Sequence, residues 1–214
     1  MPDYQSFDGY GVDVAVNRAD SLDKLALAYI AEHRGCRVLD LGSGAGGQSV
    51  RMVEAGAVVT AVDQFDFGAQ FAEYGYSAEK LQFICGGIAD IENLLQNKQF
   101  DIAVCQRTIH YLRYEQAQTF LKQLTNIVTD KLFISVTGSG SLAADSYAAA
   151  DTPLPDRFAP LSELGQEMFS IQEPVCLYSE AEFTQLLTDA GWTPELSKVT
   201  AFGNIQAICK RTTS

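Results

Sequence analysis

Positive charge and histidine are both scarce in this chain. Fifteen Lys and Arg stand against 27 Asp and Glu, a formal net charge of -12, and the basic residues are scattered singly except for Lys210-Arg211. Such a field repels phosphate backbones and anionic lipid, so neither a nucleic acid nor a membrane is expected as a partner, and a small molecule is. Only His33 and His110 are present. That excludes a histidine-rich metal site, and nothing else resembles a ligand cluster, so no metal is expected. The five cysteines contain no C-x-x-C pair. Cys36, Cys85, Cys105 and Cys209 lie in or beside apolar strand-like runs, the pattern of buried reduced thiols in a cytoplasmic protein. No run of about eighteen apolar residues occurs, and the start MPDYQSFDGY lacks a basic stretch followed by an apolar one. Neither a membrane span nor a signal peptide is therefore expected.

What is present is an alternation of short apolar runs and helix-like segments. The runs Arg37–Leu41, Val58–Val62, Leu81–Cys85, Ile102–Cys105 and Leu132–Val136 have the length of buried strands. Between them, the stretches Gln48–Ala55, Phe67–Tyr74, Ile91–Leu95 and Glu115–Val128 have helical periodicity. This predicts a parallel sheet with helices on both faces. Asp20 and Ser21 can cap a first helix that Gly35 ends, with His33 at its carboxyl end in a structural role. Near the other end, Ser179-Glu180-Ala181-Glu182 is a capping box and Gly191 a stop signal. The runs Leu196–Thr200 and Ile205–Cys209 are too close for a helical crossover, so they must pair antiparallel. Residues 138–176 hold four of the six prolines and interrupt the alternation. The chain is therefore expected to form one domain over 1–214, with an N-terminal lid and helix over 1–35 and an inserted cover over 138–176.

The chemistry concentrates at VLDLGSGAGGQSV, Val38 to Val50. A strand, a glycine-rich turn and a helix start expose backbone N–H groups to an anionic or polar ligand. The glycines fit two templates: Gly42, Gly44 and Gly47 satisfy G-x-G-x-x-G of dinucleotide enzymes, and Gly42, Gly44 and Gly46 satisfy G-x-G-x-G. Asp40 separates them, because a carboxylate at the strand end repels a pyrophosphate and attracts an ammonium or sulfonium. With D-L-G-S-G-A-G the sequence resembles the class I S-adenosylmethionine-dependent methyltransferases.

That resemblance implies a Rossmann-like doubly wound α/β fold, a seven-stranded, mostly parallel sheet ending in an antiparallel hairpin. It implies S-adenosyl-L-methionine as cofactor and S-adenosyl-L-homocysteine as product. It also assigns roles by position. Asp40 and the turn Gly42, Ser43, Gly44 and Gly46 would approach the cofactor. Asp63, closing VVTAVD, would accept both ribose hydroxyls, with Gln64 at the adenine edge. In FICGGIAD, Asp90 would accept from the adenine amino group, with Ala89 or Ile88 beside the ring. Gln106, closing FDIAVCQ, would stand near the methionine end, and Arg18 would hold the cofactor carboxylate. Plainer roles stay open: Asp63 and Asp90 can cap helices, and Arg18 can be an ordinary surface arginine.

The acceptor is less legible. The resemblance is to the small-molecule branch, and the N-P-P-Y/F signature of enzymes that methylate base nitrogens is absent, CQRT standing in its place. His110 sits where a general base could reach an acceptor hydroxyl, which would give a rate rising through the ordinary imidazole pKa; it can equally be a packing residue. Tyr4, Phe7, Tyr10, Tyr147, Phe158, Met168 and Phe169 are candidates for a lid over an apolar acceptor pocket. Two rival functions stay open, a nicotinamide-dependent oxidoreductase and a cofactor-binding module without catalysis.

Overall fold

The structure, a computed structural model, describes residues 9–11, 13, 15, 19–145 and 147–212. Seven strands form one sheet: β1 (Arg37–Leu41), β2 (Val58–Asp63), β3 (Leu81–Cys85), β4 (Phe100–Gln106), β5 (Val128–Thr137), β6 (Trp192–Val199) and β7 (Asn204–Arg211). The helices are α1 (Ser21–Glu32), α2 (Gly47–Ala55), α3 (Gly68–Glu73), α4 (Ile91–Leu95), α5 (Tyr114–Ile127), α6 (Glu163–Phe169) and α7 (Glu180–Asp189). The strand order is β3-β2-β1-β4-β5-β7-β6. β1 to β5 pair in parallel, and β7 runs antiparallel to both β5 and β6. This is the expected Rossmann-like sheet with its closing hairpin. No described helix is long and apolar enough to cross a membrane.

Period-two alternation sorts the core into two layers. Val38 of β1 and Ile102 and Val104 of β4 pack with Leu22 and Ile30 of α1 and Met52 of α2. Leu39, Leu41, Ala103 and Cys105 point the other way, onto Phe120 and Leu124 of α5 and Leu186 of α7. Asp40 lies between Leu39 and Leu41 and so faces the α1–α2 side, where Ser49 Oγ of α2 donates to its carboxylate at 2.5 Å.

Local chemistry sets the helix ends. Asp20 caps α1 by accepting from the N–H groups of Leu22 and Asp23. His33 closes the same helix, its ring Nδ1 2.8 Å from the Tyr29 carbonyl and its ring stacked on Tyr29. Ser179 and Glu182 form the capping box of α7. Asp90 differs from expectation: it precedes α4, but its carboxylate accepts from Asn93 Nδ2 at 2.5 Å and bonds to no helix N–H. Cys85 also differs, because it ends the edge strand β3 and is exposed. The other four thiols are buried and free.

Residues 138–176 gather around a third apolar cluster of Ala143, Tyr147, Leu161, Val175 and Leu177. The segment Gly9–Gly11 is laced to it: Gly11 N donates to Ser170 O at 2.9 Å, and Gln172 N donates to Gly9 O at 2.7 Å.

Trp192, the sole tryptophan, is fully buried and fastens the start of β6 to α5 by donating from Nε1 to the Leu121 carbonyl at 2.9 Å. Trp192→Ala is expected to lower stability by about 3–5 kcal/mol, the usual range for deleting a buried aromatic. Denaturant unfolding followed by circular dichroism measures it.

Candidate functional site

A cavity of about 630 Å³ opens where β1, β2 and β4 end, and its far wall is built by the 138–176 segment and Tyr10. Helix α2 follows β1 onto one face of the sheet and α5 follows β4 onto the other, so the chain parts between these two adjacent strands. Such a switch point is where open α/β sheets bind ligands.

The glycine turn forms one wall. Gly42, Gly44 and Gly46 have φ of 68°, 54° and 87°, a region costly for other residues. At two of these positions crowding adds a second requirement: a Cβ on Gly42 would collide with the Thr108 side chain, and one on Gly46 would come within 2.6 Å of the Phe71 ring. The turn is tied back to β2 by Gly42 N and Ser43 N, both donating to Val62 O.

Asp40, Gly42, Ser43, Gly44, Asp63, Gln64, Ala89, Gln106 and His110 all line this one cavity. Gly46 lies behind the turn and Asp90 faces solvent; neither contributes to the lining. Arg18, Tyr4 and Phe7 lie outside the described residues. Of the proposed lid residues, Tyr10, Met168 and Phe169 border the cavity. Tyr147 belongs instead to the third apolar cluster, and Phe158 packs beneath Arg113, whose guanidinium carbon is 4.7 Å from the ring centroid.

Four carboxylates converge on the cavity, two of which sequence reasoning missed: Asp13 and Asp23. Asp63 is half satisfied, accepting from Gly44 N at 2.9 Å and Phe65 N at 3.0 Å. Asp13 accepts from Ala45 N at 2.9 Å and so sits against the glycine turn. Asp23 accepts from Asp20 N at 2.8 Å and from the Gln106 side chain. Burial, reinforced by the neighbouring carboxylates, pushes the Asp40 carboxyl up to about 7. Burial likewise pushes Asp23 up to about 6 and raises Asp63. Asp23 was hidden because an acid three residues after a helix cap reads as half of a capping box, which it also is.

This donor set suits a cationic ligand that also carries vicinal hydroxyls, and it opposes a pyrophosphate. The cradle thus fits S-adenosylmethionine and not a dinucleotide. The sheet agrees, since the dinucleotide fold runs 3-2-1-4-5-6 without the antiparallel strand between the last two.

The cavity lining also includes Arg107, His110, Tyr111 and Ser141. His110 is 1% exposed and neither ring nitrogen has a hydrogen-bond partner among the described residues. Burial, with the Arg107 charge adding to it, pushes its pKa down to about 3. The imidazole is therefore neutral at every working pH. The expected titration near the ordinary imidazole value is displaced by burial. Arg107 and Thr108 were also missed: a left-handed backbone at Arg107, φ 50°, has no sequence signature in C-Q-R-T.

A family model described as a methyltransferase domain matches residues 38–131, from β1 into β5. No curated protein matches the sequence. Among solved structures, the chain resembles a protein from Pyrococcus horikoshii OT3 with a TM-score of 0.68 and 18% identity, covering 96% of each chain. It resembles 1,6-didemethyltoxoflavin-N1-methyltransferase of Burkholderia thailandensis, solved with its substrate and S-adenosylhomocysteine, with a TM-score of 0.65, 21% identity, and 90% of this chain and 79% of that one covered. It also resembles magnesium protoporphyrin IX methyltransferase of Synechocystis PCC 6803, with a TM-score of 0.64, 16% identity, and 89% and 82% covered. Residues 38–131 thus match a methyltransferase-domain model, and the chain as a whole shares the fold of these structures.

The buried carboxyls give a pH signature. The folded protein holds these protons to higher pH than the unfolded chain, whose carboxyls titrate near 3.8. Their stabilising contribution is complete below that value and is lost as pH rises through about 6 for Asp23 and about 7 for Asp40. The ligand-free melting temperature is expected to fall as pH rises across this window, and Asp40→Asn to flatten the fall. Differential scanning calorimetry with and without the substitution measures both.

Proposed function

We propose that this methyltransferase domain transfers the sulfonium methyl group of S-adenosylmethionine to a small-molecule acceptor, releasing S-adenosylhomocysteine. The observation that carries the reading is the convergence of Asp23, Asp40 and Asp63 with the glycine turn on one cavity at the sheet's switch point. In this reading the two oxygens of Asp63, each already holding one backbone N–H, accept the ribose hydroxyls with their remaining lone pairs. Gln64 and Ala89 border the adenine. Asp40, Asp23 and Gln106 surround the methionine end, where ionised carboxylates offset the ammonium and sulfonium charges. Asp90, bonded to Asn93 and outside the cavity, leaves the adenine amino group to another acceptor.

The cofactor supplies an activated methyl carbon, and its transfer is an in-line displacement that needs little from acid or base groups. The protein's contribution is to align the acceptor atom and keep water out. The 138–176 cover and the Gly9–Gly11 segment serve that purpose, and the whole chain acts as one domain. His110, neutral and unpartnered, orients the acceptor by hydrogen bonding. Small-molecule acceptors are favoured by the enclosed cavity, by the net charge of -12 and by the two neighbours whose printed substrates are small ring compounds.

Two measurements test the reading. S-adenosylhomocysteine is expected to bind by calorimetry and NAD not to; Asp63→Ala should weaken that binding by about 1.5–3 kcal/mol through loss of charge-assisted hydrogen bonds, with folding intact. Stabilisation by NAD alone would overturn the assignment. Once an acceptor is found, for instance by screening with radiolabelled cofactor, the pH–rate profile is expected to lack a His110-dependent limb near the ordinary imidazole value. A limb present in wild type and absent in His110→Gln would restore the general-base role.

A further inference from the structure

Buried polar side-chain atoms nearly always find a partner. Seven such atoms lack one among the described residues, on Gln48, Arg107, His110, Gln123, Ser141 and Tyr178, and His110 contributes two of them. Gln48, Arg107, His110 and Ser141 line the cavity, so five of the seven orphans belong to residues gathered around one space. Three of these four residues, Arg107, His110 and Ser141, lie outside the cradle of carboxylates assigned to the cofactor.

Arg107 is the informative member. It is a cation without an ion pair among the described residues, and its Nε is buried with no acceptor. It is also one of four non-glycine residues with positive φ among those described, at 50°. Two of the others, Gln96 and Ser170, are helix C-caps, where this conformation is common, and Asn97 follows directly. Arg107 instead follows β4, and its kinked backbone is held by N–H donation to the Ser135 carbonyl at 2.9 Å. A strained cation fixed by its surroundings and left without a counter-ion at a cavity wall is the signature of ligand recognition. Its charge depresses the His110 pKa and bears on Tyr111, both on the acceptor side, as well as on Asp23.

The mouth of the same cavity is apolar. Leu142, Met168 and Phe202 are 69%, 59% and 70% exposed and line it. They come from three separate segments: the turn after β5, helix α6, and the β6–β7 loop. Exposed apolar groups converging at a pocket rim mark surface that a ligand covers.

Building on the methyltransferase reading, we propose that the acceptor is a carboxylate-bearing ring compound. Its carboxylate pairs with Arg107, its polar edge meets His110 and Ser141, and its apolar face lies under Leu142, Met168 and Phe202. The guanidinium matches a carboxylate bidentately, and the rim excludes water from that pair.

The test uses the full chain saturated with S-adenosylhomocysteine and three acid–amide pairs as probes: 1-naphthoate, indole-3-acetate and cinnamate, each against its carboxamide, titrated by calorimetry. At least one acid is expected to bind ten-fold or more tightly than its amide. Arg107→Gln should abolish that preference and leave S-adenosylhomocysteine affinity within two-fold. Arg107→Gly, which relaxes the left-handed backbone, should melt no lower than wild type and show the same loss of preference. Phe202→Ser should weaken acid and amide alike. If no acid is preferred in any pair, or if Arg107→Gln weakens S-adenosylhomocysteine ten-fold, the proposal is overturned; in the second case the cation belongs to the cofactor. Failure of wild type to bind S-adenosylhomocysteine at all would instead remove the methyltransferase reading beneath it.

Discussion

Two adjacent parallel strands, β1 and β4, send their chains to opposite faces of the sheet, and everything functional in this molecule hangs on the gap that results. Backbone N–H groups of the turn after β1 are spent on Val62, Asp63 and Asp13, which fixes the turn at the edge of the gap. Side chains at the strand ends are held by a rigid sheet on one side and face open space on the other. Precise placement and access to a ligand therefore arise from the same topological fact, which a sheet wound in one direction only would lack.

The gap is also a place of low dielectric and high negative charge density. Burial is the main reason that Asp40 and Asp23 hold protons well above the ordinary range, with the charges of Asp23, Asp13 and Asp63 adding to it at Asp40 and that of Asp20 at Asp23. A cation entering the cavity relieves both terms together. The same lining includes Arg107, whose charge acts on Asp23 as well as on His110 and Tyr111, so groups of both signs share the cavity wall.

What could be read in the sequence follows from which interactions are local. The strand ends at Asp40, Asp63 and Gln106 were legible because an apolar run of strand length followed by turn residues has one structural meaning, and the glycine spacing fixes the turn. The capping boxes of α1 and α7 are likewise local chemistry. Asp23 was legible only as a cap, because its second role depends on Gln106, distant in sequence and brought close by the sheet. Asp13 carries no periodic pattern at all. Arg107 depends on a backbone dihedral that its neighbours in sequence do not announce. Cys85 was misread as buried because an apolar run gives no sign that its strand lies at the sheet edge.

The lacing of Gly9–Gly11 onto Ser170–Gln172, with Tyr111 Oη donating to the Tyr10 carbonyl at 2.5 Å, is the weakest closure beside the cavity. Each such hydrogen bond is worth only about 0.5–1.5 kcal/mol net, because water replaces it when it breaks. Unlacing the seam therefore costs far less than melting any strand of the sheet. Loop openings of this kind belong to the microsecond-to-millisecond range. A seam held by so few bonds can part while the rest of the scaffold stays still.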